Sequence, residues 1–289
     1  MKKQILALFL SLIISSTCVN SAFAKKGDSI QVKGSDTMVN LAQAWAEAFM
    51  KKNPGAFIAV TGGGSGTGIA AIINGTCDIA ISSREIKAKE IELAKKKGVT
   101  PKEYKVALDG LAVVVSPQNP VSKLTLDQLA DIFTGKVTNW QAVGGPDMKI
   151  VVLSREVNSG THVYFKEHVL RHGDAAAKDE FSPDALLLPS SQAIADEIKQ
   201  NTGAIGYYGM GYISKDQKAL HVSKDAASEA IAPTVDNVIS GHYPISRPLF
   251  MATNGEPAGK AKDFMDFVLS DEGQAVVTTI DFVPIKKAA

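Results

Sequence analysis

Cysteine is nearly absent from this chain, which contains only Cys18 and Cys77 among its 289 residues. Cys18 lies in an N-terminal segment that we expect to be removed, so Cys77 would be the one thiol of the mature protein. A single thiol excludes an intramolecular disulfide, and the fold must therefore be held together by its hydrophobic cores. Cys77 lies in an apolar segment and is expected to be a small buried residue.

An excess of either charge is also lacking. The chain carries 31 Lys and Arg residues against 30 Asp and Glu residues, a formal net charge of +1. Removal of the N-terminal segment takes away Lys2 and Lys3 and leaves a net charge of about −1. Such an even balance argues against nucleic acid or an anionic membrane as a partner. Any anion site must come from a local arrangement of residues.

Long hydrophobic runs are missing as well. The most apolar stretch, Ile5 to Ile14, is too short to span a bilayer, and it follows the basic pair Lys2 and Lys3. Ala22-Phe23-Ala24 then supplies a cleavage site, so residues 1–24 are predicted to be a signal peptide of an exported protein. A membrane anchor and a lipid anchor on Cys18 are the alternatives, and Ser15-Ser16-Thr17 before Cys18 does not favour the lipid anchor.

What the sequence does contain is a repeated strand–turn–helix pattern. Phe57 to Val60 is predicted to be a strand, Ile69 to Asn74 a helix and Ile79 to Ile81 a second strand. Leu111 to Val115 is a continuous apolar run, typical of a buried strand. The pattern predicts an α/β fold with a mainly parallel sheet.

Three short turns rich in Gly, Ser and Thr each precede a predicted helix. They are Gly34-Ser35-Asp36-Thr37, the glycine loop from Gly62 to Ile69, and Asn158-Ser159-Gly160-Thr161. A helix N-terminus exposes unpaired N–H groups and the positive end of the helix dipole, which suits an anion. Each turn alone could be a simple N-cap. Three in one chain, with Arg155 close before Ser159, favour an anion site.

The glycine loop does not fit the motifs of nucleotide chemistry. It has no Lys after its glycines, as a Walker loop requires, and Thr67 breaks both the dinucleotide spacing and the nucleophile elbow. His168 and His172 have helical spacing but lack the Glu of a zinc peptidase. Neither Ser65 nor Ser159 has an identifiable base. We therefore predict non-covalent anion binding, with no catalytic residues, no metal and no cofactor.

Taken together, these segments resemble the PstS family, the phosphate-binding proteins of bacterial phosphate ABC importers. The resemblance covers nearly the whole mature chain, and its most specific parts are the glycine loop and the Arg155–Thr161 segment. It implies a two-lobe periplasmic-binding-protein fold of type II, with the ligand in the cleft between the lobes. The implied division is a first lobe from residues 25–109 and 244–289 and a second lobe from residues 110–243.

The resemblance also implies the residues that bind phosphate. They are Ser35, Asp36, Thr37, Ser65, Ser83, Arg84, Arg155, Ser159, Gly160 and Thr161. Ser83 stands where selective family members carry an Asp that accepts the phosphate proton. We expect Asp36 to be that acceptor here, with Glu156 as a weaker candidate and Arg84 as a second positive contact.

The expected function is that of a periplasmic solute-binding protein that captures inorganic phosphate and passes it to the membrane permease of an ABC importer. It would not be an enzyme, would bind no nucleic acid and would act as a monomer. Three alternatives remain open: a binding protein for another oxyanion such as sulfate or molybdate, an exported phosphatase, and a sensor or adhesion module that reuses the fold.

Overall fold

The computed structural model describes residues 29–285. Its strands alternate with helices along the chain, as the repeated pattern predicts. The strands are β1 (Ser29–Gly34), β2 (Phe57–Thr61), β3 (Ile79–Ser82), β4 (Pro101–Val115), β5 (Lys123–Thr125), β6 (Val151–Arg155), β7 (Leu186–Leu188), β8 (Ala204–Gly209), β9 (Lys218–Ala219), β10 (His221–Ser223) and β11 (Ser246–Asn254).

The helices cover these strands. The α-helices are α1 (Val39–Lys52), α2 (Ser65–Ile73), α3 (Ala88–Lys96), α4 (Leu126–Thr134), α5 (Gly160–Phe165), α6 (Ser191–Gln200), α7 (Val235–Ile239), α8 (Gly259–Leu269) and α9 (Asp271–Thr279). A π-helical turn, Lys166–Leu170, continues α5, and short 3-10 turns occupy Asp36–Met38, Trp140–Val143 and Met210–Tyr212.

Within residues 29–285, nine strands join one sheet in the order β2-β1-β3-β11-β4-β8-β6-β7, with β9 also paired to β4. The pairs β1–β2, β1–β3, β6–β7 and β6–β8 are parallel. The pairs made by β4 and β11 are antiparallel. The expectation of a mainly parallel sheet is therefore wrong: the sheet is mixed, because β4 and β11 run side by side in opposite directions through its middle.

Strand β4 connects two separate packing environments. Its first part pairs with β11 up to Gly110, and its last part, from Leu111, pairs with β8. One buried cluster takes its residues from 30–107 and 249–282, around Trp45 and Phe264. Another takes them from 111–245 with Val283, around Phe133 and Tyr207. The chain passes between these clusters along β4 and returns along β11.

Most of the predicted elements appear with small shifts of their ends. Helix α4 begins after Thr125, whose side chain caps it by accepting a hydrogen bond from Gln128 N. Helix α2 begins at Ser65, four residues before the predicted start, because Ser65-Gly66-Thr67-Gly68 already has helical geometry. Cys77 is buried and free, as expected. The predicted signal peptide lies outside the described residues. No helix among those described is both long and apolar enough to cross a membrane.

Candidate functional site

The turn after β1 brings the first group of polar residues to the end of that strand. Ser35 and Thr37 are 2% and 0% exposed, so their hydroxyls need partners inside the protein. Gly34 has a φ of +143°, and an added Cβ would collide with the backbone oxygen of Ile81, so both observations require glycine here. The glycine therefore lets the turn lie directly against the end of β3.

The glycine loop between β2 and α2 supplies the second group. Gly63 and Gly64 adopt φ values of +112° and +90°, which other residues rarely adopt. Gly64 also passes close to Asn158, since a Cβ at Gly64 would lie 2.9 Å from the Asn158 backbone oxygen. This close passage leaves Ser65 completely buried at the N-terminus of α2.

The third turn caps α5 and contacts the second. Ser159 Oγ accepts hydrogen bonds from the backbone N–H groups of Thr161 and His162, so its N-cap role is confirmed. Asn158 Nδ2 donates to Gly63 O at 2.8 Å, and Gly66 N donates to Asn158 O at 2.9 Å. These two bonds join turns that are about ninety residues apart in the chain.

A cluster of buried hydroxyls forms where the three turns meet, and we call it the hydroxyl cluster. Ser83 Oγ lies 3.0 Å from Ser35 Oγ and 3.2 Å from Ser65 Oγ. Thr37 Oγ1 and Thr161 Oγ1 lie 2.8 Å apart. Hydroxyls both donate and accept, so these groups can satisfy one another or turn to a ligand. The hydroxyl cluster consists of Ser35, Thr37, Ser65, Ser83, Ser159 and Thr161.

Gly160 lies within this cluster without a side chain. A Cβ at this position would overlap Ser65 Oγ and would lie 2.6 Å from Ser83 Oγ. The absence of a Cβ is therefore what allows the turn before α5 to reach α2 and the end of β3.

Arg155 and Asp36 form an ion pair beside the hydroxyl cluster. Arg155 Nη2 donates to Asp36 Oδ2 at 2.8 Å, and the Arg155 side chain is 1% exposed. The same nitrogen donates to Pro189 O at 2.8 Å, and Nη1 donates to Ser191 Oγ at 3.3 Å. Asp36 Oδ1 also accepts from Gly63 N at 3.2 Å. The pair fixes both side chains and places a buried guanidinium among the turns.

Arg84 does not reach the hydroxyl cluster. Its two terminal nitrogens each donate to Glu90 at 2.8 Å, and Nη1 also donates to Glu85 O. This bidentate pair lowers the pKa of Glu90, although burial opposes the shift. The guanidinium is directed towards α3, so the expected second positive contact from Arg84 has no support in this geometry. Glu156 is exposed, and its backbone oxygen accepts a hydrogen bond from Ser159 N at 2.9 Å.

Sequence reasoning missed a second buried ion pair, Asp109 with Arg247. The two residues face each other across β4 and β11, and Arg247 Nη2 and Nε donate to Asp109 Oδ2 at 3.0 and 3.2 Å. Burial raises the pKa of Asp109, while the Arg247 charge opposes that shift. Arg247 is the one charged residue of β11, and Asp109 is the last charged residue of β4 before the apolar run that starts at Leu111, so these isolated charges were the available signal.

The hydroxyl cluster lacks the partners of a nucleophile. His162, the nearest histidine in sequence, contacts Ser154 Oγ at 3.3 Å through Nδ1. Burial lowers the pKa of His162 to about 4, and the charge of Lys166 adds to that shift. Residues 29–285 contain no group of three or more His, Cys, Asp or Glu side chains that could hold a metal. The arrangement offers donors and a positive charge to an anion, and no histidine or carboxylate bonds to a serine hydroxyl of the hydroxyl cluster among the described residues.

Comparison with known proteins finds relatives that are named as phosphate-binding proteins. Residues 20–272 match the family model described as the PBP superfamily domain. The chain is 33% identical to the phosphate-binding protein PstS of Bacillus subtilis, over 99% of this chain and 95% of that protein. It is 32% identical to PstS of Pseudomonas aeruginosa PAO1, over 87% of this chain and 81% of that protein.

Solved structures of proteins named for phosphate transport are also similar to this chain. A crystal structure from Clostridium perfringens, assigned as a phosphate ABC transporter substrate-binding protein with bound phosphate, superposes with a TM-score of 0.79 at 34% identity. That match covers 89% of this chain and all of the other chain. An ABC-type phosphate transport receptor from Vibrio cholerae gives a TM-score of 0.70 at 31% identity, over 88% and 99% of the two chains.

Proposed function

The chain belongs to the PstS family of phosphate-binding proteins within the PBP superfamily, and on that premise we propose that it captures inorganic phosphate for an ABC importer. The single observation that carries the proposal is the meeting of three helix-opening turns and Arg155 in one buried cluster of donors. A tetrahedral anion suits such a site, because it presents oxygens in several directions at once.

The proposed contacts come from named groups. Ser35, Thr37 and Ser65 would donate from one side of the ligand, and Ser159, Gly160 and Thr161 from the other. Ser83 would add a hydroxyl, and Arg155 the charge, since guanidinium pairs with oxyanions through two N–H groups at once. Asp36 would orient Arg155 and disfavour a fully ionised ligand. Inorganic phosphate keeps a proton near neutral pH and sulfate does not, so this carboxylate would favour phosphate.

Ligand binding would act by closing two lobes. We propose that residues 25–109 with 244–289 form one lobe and residues 110–243 the other, with β4 and β11 as the connection. The bonds between Asn158 and the glycine loop support this, because they join residues of the two proposed lobes. A ligand that contacts both lobes stabilises the closed form. The closed form would dock on a membrane permease after export to the periplasm.

A phosphatase is not favoured, because the serine hydroxyls of the cluster bond to one another or to backbone N–H groups, and none of them bonds to a described side chain that could act as a base. Titration calorimetry on ligand-stripped protein, with phosphate and sulfate at two pH values, tests the proposal directly. We expect one phosphate per chain and far weaker sulfate binding. Equal affinity for the two anions, or turnover of a generic phosphomonoester, would contradict it.

A further inference from the structure

Arg247 is the most deeply buried cation beside the hydroxyl cluster that the sequence did not assign. It lies in β11 and its side chain is 1% exposed, next to Asp109, which is 0% exposed. A buried guanidinium is costly unless all its N–H groups find partners. The bond to Asp109 offsets part of that cost and holds the side chain in one orientation.

The rest of the Arg247 side chain faces the proposed phosphate site. Nη2 donates to Thr161 Oγ1 at 2.9 Å and lies 3.4 Å from Thr37 Oγ1. Thr37 belongs to the turn after β1 and Thr161 to the turn before α5, so one nitrogen touches both of the turns that close on each other. The side chain itself comes from the strand that connects the two packing clusters.

One donor of this guanidinium has no hydrogen-bond partner within residues 29–285, although the guanidinium carbon lies 5.5 Å from the centroid of the Tyr164 ring. Arg247 Nη1 is buried and makes no hydrogen bond to the described residues. Nη1 and Nη2 are bonded to the same carbon of a planar group, so Nη1 lies directly beside the nitrogen that contacts Thr37 and Thr161. Arg247 and Ser83 also both line an adjoining cavity of about 490 Å³. An unpaired buried donor in a native fold calls for an acceptor.

We propose that Arg247 is a second guanidinium that binds the phosphate directly, through Nη1, with Asp109 as its fixed counter-charge. The inference rests on the proposed function and deepens it. The inference gives a reason for a buried ion pair at the connection between the proposed lobes. Arg247 Nη1 gains an acceptor only when the ligand is present. The contact of Arg247 Nη2 to both Thr37 and Thr161 requires the closed form. Ligand binding and closure are then coupled through one side chain.

The alternative is that the pair only stabilises the fold. The double variant Arg247→Met/Asp109→Leu distinguishes a role in ligand binding from a role in stability. Replacing the whole buried ion pair with apolar residues leaves little or no unpaired charge, so the variant should still fold. If Arg247 binds the ligand, the Kd for phosphate rises roughly a hundredfold or more in a variant whose circular dichroism is unchanged. The matched control is Arg171→Met/Glu180→Leu, which removes an ion pair at the surface. Its Kd is expected to stay within about threefold of wild type.

A crystal structure of the wild-type protein grown with phosphate tests the contact without any variant. We expect a phosphate oxygen about 2.7–3.2 Å from Arg247 Nη1. A bound phosphate with every oxygen farther than about 3.5 Å from Nη1 overturns the inference, as does a folded double variant with wild-type affinity. Wild-type protein that binds no phosphate would instead remove the proposed function.

Discussion

Asp36 Oδ2 accepts a 2.8 Å hydrogen bond from Arg155 Nη2, which joins the turn after β1 to the end of β6. The two residues are 119 positions apart in the chain. Asp36 belongs to one of the turns that the sequence analysis selected, and Arg155 stands four residues before Ser159 of another. The Asp36 carboxylate neutralises the charge of the buried Arg155 guanidinium. We propose that the carboxylate would also place a negative charge beside a bound anion, so that the pair would set both the strength and the selectivity of binding.

The first prediction concerns the positive member of this pair. Arg155→Ala should weaken phosphate binding at least about a hundredfold, because it removes a buried charge from the ligand and leaves Asp36 without its partner. Titration calorimetry measures the change. Arg171→Ala is the matched control, since Arg171 makes its ion pair with Glu180 away from the cluster, and its Kd should be close to wild type. Unchanged affinity in Arg155→Ala would remove this residue from the site.

The second prediction concerns selectivity. Asp36→Asn should narrow the preference for phosphate over sulfate by roughly tenfold or more, because the amide no longer repels a fully ionised anion. The ratio of the two Kd values at neutral pH is the measurement. Asp127→Asn, at an exposed position on α4, serves as the control and should leave the ratio unchanged. An unchanged ratio in Asp36→Asn would mean that another group accepts the phosphate proton.

The three turns were predictable because their signal is local. Ser35, Ser65 and Ser159 each stand at the start of a helix, and a few neighbouring residues are enough to predict a helix start. The fold brings all three turns to the hydroxyl cluster. The pairing of Arg84 with Glu90 was not predicted. The role expected of Arg84 came only from its position after β3, which does not indicate that Glu90 would bind the guanidinium. Arg247 and Asp109 depend on the register of two distant strands. Only the fold makes them neighbours, because nothing in either strand indicates its partner.

A third prediction tests the contact between the turns. Asn158→Ala removes the bond from Nδ2 to Gly63 O and should weaken phosphate binding about fivefold, mainly through faster dissociation, since one hydrogen bond contributes about 1 kcal/mol. Stopped-flow fluorescence measures the dissociation rate. Asn53→Ala is the matched control, because Asn53 Nδ2 donates to Phe49 O at 2.9 Å at the C-terminal end of α1. Equal dissociation rates in wild type and Asn158→Ala would show that this bond does not stabilise the closed form.

A fourth prediction concerns the space left by Gly160. Gly160→Ala should abolish the rise in melting temperature that phosphate gives the wild-type protein, because a Cβ would overlap Ser65 Oγ and keep the turns apart. The melting temperature without phosphate should change little, since the collision exists only when the turns meet. Gly55→Ala is the control, because a Cβ at Gly55 meets nothing within 4 Å. A full phosphate-induced shift in Gly160→Ala would show that the turns need not approach so closely.

The last prediction follows from His162. Burial holds its pKa at about 4 in the folded protein, against about 6.5 in the unfolded chain. The unfolded chain therefore takes up the proton first, so stability falls as the pH is lowered from about 6.5 to about 4. Between these two pH values the free energy of unfolding of His162→Gln should fall by about 2 kcal/mol less than that of wild type, as measured by urea unfolding. His221→Gln, at an exposed position, should follow the wild-type curve. Parallel curves for wild type and His162→Gln would show that His162 titrates normally in the folded protein.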